Sequence, residues 1–512
     1  MELSAGLFLG LLFLILLWLF TLKTRRTLNL PPGPAGLPLI GNLLQLDKNA
    51  PFKSLVQLSK TYGPVVTVYL GPQRVVFLMG YDAVKEALVD QAEDFTGRAP
   101  FPFLMKVTKG YGLGISNGER WRQLRRFTLS TLRDFGMGRK GMEAWIQEES
   151  RHLVARIKNT QTSPFEPTYF LSCSVSNVIC CLVFGQRFEY EDEHFLHLLK
   201  IISEALRFGS TPRGQLYNVF PRLMEILPGY HHTVFNLIQE LRGFVMTKIQ
   251  EHQDSLDPAS PRDYIDRFLT RLHQEKQDPS SEFHHENLVG TVFNLFLAGT
   301  ETTSSTIRYA LNVLIKYPKI QEEMQQEIDS VVGRQRSPFM EDRKSLPFTD
   351  AVIHEIQRMM DIVPFGLPHY ALKDISFRGF NIPKVRSWHH SWRTNVSNQL
   401  VSLQGTFIFA LLHSVLKSEK SWESPLDFNP QHFLDQNGNF KKNPAFLPFS
   451  AGKRACVGES LARMELFLFM VSLLQSFTFS CPGGPDSVDL NPEYSSFANL
   501  PRRNQIIATP RC

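Results

Sequence analysis

A cysteine set between glycines, at the start of a long apolar run, is the residue of this sequence best placed to do chemistry. The stretch reads Phe449-Ser450-Ala451-Gly452-Lys453-Arg454-Ala455-Cys456-Val457-Gly458, and residues 459–477 behind it are predominantly apolar and helix-forming. Cys456 thus falls at a helix N-terminus, where free amides and the dipole favour thiolate over thiol. Gly452 and Gly458 let the backbone fold tightly around the sulfur. Arg454 supplies a cation two residues upstream, suited to a carboxylate that arrives with a cofactor. No second cysteine lies nearby to complete a zinc cage, and a lone thiolate suits an axial haem ligand. A buried structural cysteine beside a glycine loop is the competing reading of the short motif.

A second cluster is Ala298-Gly299-Thr300-Glu301-Thr302-Thr303, inside a long helical pattern. A mid-helix glycine costs on the order of 1 kcal/mol relative to alanine, and threonines there are poor choices too. Such a local conflict tends to mark a functional site. At helical spacing Asn294, Ala298 and Thr302 share one face, small enough for a flat cofactor to approach the backbone. A hydroxyl beside a carboxylate can relay protons to a bound ligand; a helix kink without chemistry is the alternative. Glu355 and Arg358, at i and i+3, form a weaker signal, since most such pairs are solvated and contribute little.

The elements that must position these residues follow from periodicity. Residues 65–70 and 74–79 read as a β-hairpin around Gly71-Pro72. Amphipathic helical patterns cover 141–158, 195–208, 234–252 and 286–317, with polar loops at 254–263 and 274–282. The expected class is mainly α with small β-sheets. With 512 residues and no long linker after residue 45, one large catalytic domain over 46–512 is expected. Residues 3–22 form an almost unbroken apolar run of membrane-spanning length, followed by Lys23, Arg25 and Arg26. That predicts a transmembrane signal-anchor over 1–22, a basic stop and proline-rich hinge over 23–45, and the remainder in the cytosol; a cleaved signal peptide is the alternative. The net charge of +6 is modest and forms no basic stripe with interleaved aromatics, which argues against a nucleic-acid partner. Six cysteines without a paired framework fit a reducing compartment.

Phe-x-x-Gly-x-Arg-x-Cys-x-Gly matches the haem-binding signature of the cytochrome P450 family at every fixed position. From its N-terminal run almost to its C-terminus the chain resembles the vertebrate microsomal family-two enzymes, in particular the fish forms. The resemblance implies a cytochrome P450 fold holding haem b (iron protoporphyrin IX). Cys456 would be its axial ligand, with Phe449, Arg454 and Gly458 around it and Ala298 opposite. Glu301 and Thr302 match the family's oxygen-activating acid–alcohol pair. Arg98, Trp121, Arg125, His369 and Arg454 match positions that meet the haem propionates. Glu355, Arg358 and His432, the last in Pro430-Gln431-His432-Phe433, correspond to a structural cluster behind the haem. Phe101, Phe103, Phe293, Leu297, Val363, Phe365, Leu367 and Phe497 would line the substrate pocket.

The implied activity is monooxygenation of a lipophilic xenobiotic, fatty acid or steroid. Electrons would come from NADPH through NADPH–cytochrome P450 reductase, with cytochrome b5 as a further partner. A basic patch of Arg122, Arg126, Arg133, Lys441, Lys442 and Lys453 would attract an acidic electron donor. The resemblance also implies a single-pass protein of the endoplasmic reticulum membrane, with its catalytic domain on the cytoplasmic side. Two other readings remain: a haem-thiolate isomerase or dehydratase, and a catalytically impaired splice or gene-model variant.

That last reading arises from one departure. Residues 385–404 (VRSWHHSWRTNVSNQLVSLQ) separate two segments that the family joins by a tight turn. Valine codons begin GT and one glutamine codon is CAG, the bases found at intron ends, so a retained in-frame intron or a gene-model artefact is expected. A passive loop and a folded lid are the alternatives.

Overall fold

The computed structural model describes residues 29–136, 140–384 and 405–511. The expected membrane anchor and the inserted segment lie outside them. Among the described residues no helix is long and apolar enough to cross a membrane.

Helices dominate, as the periodicity predicts. The principal ones are α1 (Pro51–Tyr62), α2 (Gly118–Asp134), α3 (Lys140–Lys158), α4 (Thr168–Phe184), α5 (Glu193–Gly209) and α6 (Tyr230–Asp254). They continue with α7 (His285–Lys316), α8 (Pro347–Met360) and α9 (Glu459–Ser476). Helix α7 starts at His284, whose side chain accepts from the Asn287 amide, and it stops before Pro318, the first residue of the next helix. Its C-terminal half is buried on every side, as is most of α9, so these are central helices rather than amphipathic surface ones. Helices α7 and α4 pack closely, and Gly299 is what permits it. A Cβ there would lie 2.6 Å from Ile179 Cδ1 of α4. This glycine, read from sequence as a mark of chemistry, serves helix packing.

Strands β1 (Val65–Leu70) and β2 (Gln73–Leu78) form the expected hairpin, Val65 opposite Leu78, with the second strand starting one residue early. Strand β3 is His369–Tyr370, and the short pair β4 (Ile375–Phe377) and β5 (Phe380–Ile382) form a separate hairpin. Strand β6 (Phe407–Ala410), buried at every position, lies parallel to β2 and antiparallel to β3, giving the sheet order β1-β2-β6-β3. The proline-rich stretch, where it is described, is bonded to strand β1. Thr67 of β1 donates its hydroxyl to Pro31 O and its amide to Pro32 O, both at 2.8 Å. Asn42 and Tyr69 exchange hydrogen bonds a few residues on.

The ends of the inserted segment are held together. Thr406 Oγ1 donates to Pro383 O at 3.0 Å, Lys384 N to Asp374 Oδ1 at 2.8 Å, and Gln73 Nε2 to Gly405 O at 2.6 Å. The chain therefore re-enters beside the point where it leaves, and a tight turn can join Lys384 to Gly405. Expanding a two-residue turn to over twenty residues costs about 2 kcal/mol in loop closure. Deleting 385–404 should leave the melting temperature unchanged or raise it, by a gain of about 2 kcal/mol or less. A deletion variant that melts well below its parent would show that the segment contributes to the fold.

Candidate active site

Two walls face a common cleft. On one, helix α7 presents Ala298, exposed although it lies in the middle of a core helix, and half-buried Thr302. Thr302 Oγ1 donates to Ala298 O at 2.7 Å, a side-chain bond that competes with the helical ladder at this turn. On the other, the loop before α9 holds Cys456, also exposed. A cavity where these elements meet is lined by Thr302, Thr303 and Thr306 of α7, by Phe449 of the cysteine loop and by Ala462 and Leu466 of α9.

The cysteine loop is as tight as its glycines predict, though only one of them is sterically required. Gly452 has φ +70°, and a Cβ would fall 1.7 Å from Leu88 O, so no other residue fits. Gly458 has φ −93°, and a Cβ there would rest 3.9 Å from the Cys456 sulfur, an ordinary contact. Cys456 N donates to Phe449 O at 3.0 Å, closing the loop. Although the residue opens onto the cleft, the surrounding protein crowds its sulfur, and this burial raises the thiol above its ordinary value. The Gly458 and Glu459 amides and Arg125 pull the other way without prevailing. The helix-start amides favour the thiolate, as expected, but burial outweighs them; a metal cation at the sulfur would supply the missing stabilisation.

Beside the cleft, three guanidiniums converge. Arg98 donates to Leu367 O at 2.8 Å and to Arg454 O at 3.4 Å. Arg454 donates to Thr96 O and Ser116 O, both at 2.7 Å, and lies 3.9 Å from the centre of the Trp121 ring. Arg125 donates to Ala455 O at 2.7 Å. All these acceptors are neutral, and among the described residues no carboxylate acts on any of the three. Burial, reinforced by the neighbouring guanidiniums, pushes Arg98 down to about 9 and Arg454 down to about 8. Arg98 Nε also has no acceptor among the described residues. Buried cations without counter-charge are costly, so this cluster is built for an anionic ligand. His369 sits across a β-bridge from Arg98, donating Nδ1–H to Phe95 O. Burial and then Arg98 hold it well below the ordinary histidine range, hence neutral.

An exposed thiol, a small-residue helix face opposite, and guanidiniums at one side fit a flat macrocycle with a metal at its centre and carboxylates at its rim. Cys456, Ala298, Arg98, Arg125, Arg454 and Trp121 are the residues that could hold it.

The acid–alcohol pair is divided. Thr302 faces the cleft, whereas Glu301 is 3% exposed and accepts from Ser305 Oγ at 3.4 Å, with Ser203 of α5 also bonded to it. Successive helical residues point about 100° apart, so neighbours in sequence do not face each other. The Glu355–Arg358 pair is no surface pair. Both residues are fully buried, joined by two bonds of 2.7 and 2.8 Å. His432 Nδ1 lies 3.2 Å from the same carboxylate and the Asn429 amide donates to it at 2.8 Å.

Of the expected pocket residues, Phe101, Phe103 and Phe293 are buried in apolar clusters. Leu297, Val363, Phe365, Leu367 and Phe497 keep part of their surface open. Phe103 and Phe497 both abut Gly209. Among the buried charged residues that the sequence reading did not single out are Arg308 and Glu465. Arg308 lies in α7, and Glu465 in α9 has one carboxyl oxygen without a partner among the described residues and is raised well above the carboxylate range by burial. A charged residue inside an otherwise apolar helical run was the available signal for both.

Comparison with known proteins agrees with this arrangement. The Cytochrome P450 family model matches residues 31–385 and 395–508, breaking only within the inserted segment. Cytochrome P450 2F3 of Capra hircus is 47% identical over 510 residues, covering 100% of both chains. Cytochrome P450 2G1 of Oryctolagus cuniculus is 48% identical over 504 residues, 98% of each. Cytochrome P450 2A13 of Homo sapiens is 48% identical over 483 residues, 94% of each.

The buried triad yields a stability test. Burial pushes the Glu355 carboxyl up, but the Arg358 and His432 bonds outweigh it and hold it below the usual range. A lowered carboxylate contributes stability that is complete above the ordinary carboxylate range and is lost as pH falls through the lowered value. Glu355→Gln should therefore cost about 3–5 kcal/mol near neutral pH, by leaving Arg358 buried and unpaired. The difference should shrink in acid. Denaturant melts of both proteins at neutral and acidic pH check both statements.

Proposed function

Because the chain belongs to the cytochrome P450 family, we propose that Cys456 is the axial thiolate of its haem and that Glu301 and Thr302 manage protons on the opposite face. The protein is a haem-thiolate monooxygenase, with haem as cofactor, electrons delivered by a reductase, and lipophilic substrates. When bound, the haem supplies dioxygen activation and oxygen-atom transfer. The observation that carries the residue assignment is the set of three guanidiniums without a carboxylate, near a cavity lined by Thr302 of α7 and Phe449 of the cysteine loop. Arg98, Arg125 and Arg454 then bind the propionates, and Trp121 holds the Arg454 fork flat. His369, neutral as it stands, accepts or donates there according to the charge the anion restores. Phe449 and Gly458 shape the pocket on the sulfur side.

Thr302 holds a proton donor at the cleft surface, and Glu301 stands behind it as the acid that replenishes that proton. Leu297, Val363, Phe365, Leu367 and Phe497, with Phe101, Phe103 and Phe293 packed behind or beside them, form an apolar surface that excludes water and selects lipophilic substrates. Glu355, Arg358 and His432 keep the core behind the haem rigid.

NADPH–cytochrome P450 reductase is the electron donor, drawn to the face bearing Arg122, Arg126, Arg133, Lys441, Lys442 and Lys453, and cytochrome b5 is a second partner. Residues 1–22 anchor the protein in the endoplasmic reticulum membrane, 23–45 carry the basic stop and hinge, and 46–512 face the cytoplasm. Xenobiotics, fatty acids and steroids are the substrate classes to screen. An oxygen-independent isomerase or dehydratase is not favoured, nor is an impaired variant.

Cys456→Ser should abolish the thiolate-type Soret shift of the reduced protein under carbon monoxide; a variant that keeps the shifted band would overturn the axial assignment. Thr302→Ala should still bind haem and substrate, while a larger share of consumed NADPH appears as hydrogen peroxide instead of product. Unchanged coupling of NADPH to product would remove Thr302 from proton handling.

A further inference from the structure

Helix α7 carries a second polar stripe, turned away from Thr302, that adds Ser305 and Arg308 to the acid of the family's pair. It runs Glu301, Ser305, Arg308, at i, i+4 and i+7, so the three side chains stack on one side of the helix. Ser305 Oγ donates to Glu301 Oε1 at 3.4 Å and accepts from Arg308 Nη2 at 3.4 Å. One hydroxyl thus bridges a buried carboxyl and a buried guanidinium, 3% and 6% exposed. Arg308 is braced from the other side as well. Its Nη1 donates to Thr168 Oγ1 at 2.7 Å, in the first turn of α4, and the Thr168 hydroxyl donates to the half-buried carboxylate of Glu166. Arg308 Nε has no acceptor among the described residues, so the guanidinium is held by two hydroxyls rather than by a direct bidentate ion pair.

The groups facing this stripe come from three other elements. Ser203 of α5 bonds Glu301, exposed Arg503 of the C-terminal segment acts on both Glu301 and Arg308, and Glu493 acts on Arg308. Burial alone would drive both Glu301 and Arg308 toward their neutral forms. For Glu301, Arg308 is the largest influence opposing that drive, ahead of Ser305, Arg503 and Ser203. For Arg308 the reciprocal holds, with Glu301 ahead of Glu166. Burial still prevails, leaving Glu301 raised and Arg308 lowered, and each group is the largest influence favouring the other's charged form.

An acid that gives up a proton leaves a carboxylate behind, and when buried that carboxylate needs a fixed cation nearby. We propose that Arg308 is a positioning residue for Glu301: acting through Ser305, and itself braced by Thr168 and Glu166, it fixes the orientation of the acid and stabilises the carboxylate left when the acid releases its proton. On that reading each proton released by Glu301 replenishes the one donated at Thr302, and a proton taken up later by the same carboxyl returns it to its starting state. The functional meaning of this device rests on the reading of Glu301 as a proton carrier.

The test separates the device from that reading. In the haem-loaded protein, pH-difference infrared spectra contain the band of the protonated Glu301 carboxyl, identified by its loss in Glu301→Gln. Arg308→Gln should move the titration midpoint of that band upward by about one pH unit or more, and Arg308→Lys should restore most of it. The pH profile of NADPH coupling to product should move in the same direction. A folded, haem-replete Arg308→Gln variant with an unmoved midpoint overturns the proposal. If that variant does not fold, Ser305→Ala removes the bridging hydroxyl without stranding a charge. It should raise the midpoint too, and an unmoved midpoint there overturns the proposal equally. A moved midpoint with an unmoved coupling profile supports the Arg308–Glu301 linkage and overturns the proton role of Glu301.

Discussion

Positive charge collected in the core without counter-charge is the constraint around which this site is arranged. Arg98, Arg125 and Arg454 come from three separate stretches of chain, and each is tied to backbone carbonyls rather than to acids. Carbonyls orient a guanidinium but do not neutralise it. Their convergence calls for an anion to complete the cluster, a role that the propionates of the haem proposed above would fill. The loop of Gly452, the ring of Trp121 and the β-bridge between Arg98 and His369 all serve to hold the fork ends at one rim of the cleft.

The same physics, with the charges paired, stabilises the far side of the fold. Glu355 and Arg358 are as deeply buried as Arg98, yet their bonds to each other, to His432 and to Asn429 satisfy the carboxylate within the protein. Arg358 spends its remaining donors on the carbonyls of Leu416, Pro425 and Asp427, fastening α8 to the segment that leads toward the cysteine loop. One cluster is closed and rigid; the other is left open toward a ligand. A third arrangement lies between them. Glu301 and Arg308 are neither paired directly nor independent, and the single hydroxyl of Ser305 couples them. Such loose coupling suits a group that must change charge, whereas the tight Glu355 pair suits one that must not.

Much of this could be read from the chain itself. The signature around Cys456, the small-residue face of α7 and the Glu355–Arg358 spacing each depend on residues within ten positions of one another, so local spacing was enough to find them. Helix and hairpin positions followed from apolar periodicity, to within a few residues at their ends. Three-dimensional packing settled matters that spacing cannot. Gly299 looked like a catalytic irregularity and proved to be the place where Ile179 packs. Glu301 and Thr302, adjacent in sequence, diverge in space because the helix turns between them. Nothing in the proline-rich stretch itself shows that its backbone is hydrogen-bonded to Thr67.

Sequence by itself determined the family, the thiolate candidate and the residue types around it, because these rest on short motifs with fixed spacing. Only the tertiary structure decided which charges meet. Arg98, Arg125 and Arg454 converge without acids, Arg308 finds Glu301 through a serine, and the thiol of Cys456 is raised by its surroundings despite its helix-start position. Desolvation and Coulomb energies depend on distances across the fold and on what is excluded from between the groups, and neither quantity is written in the order of residues along the chain.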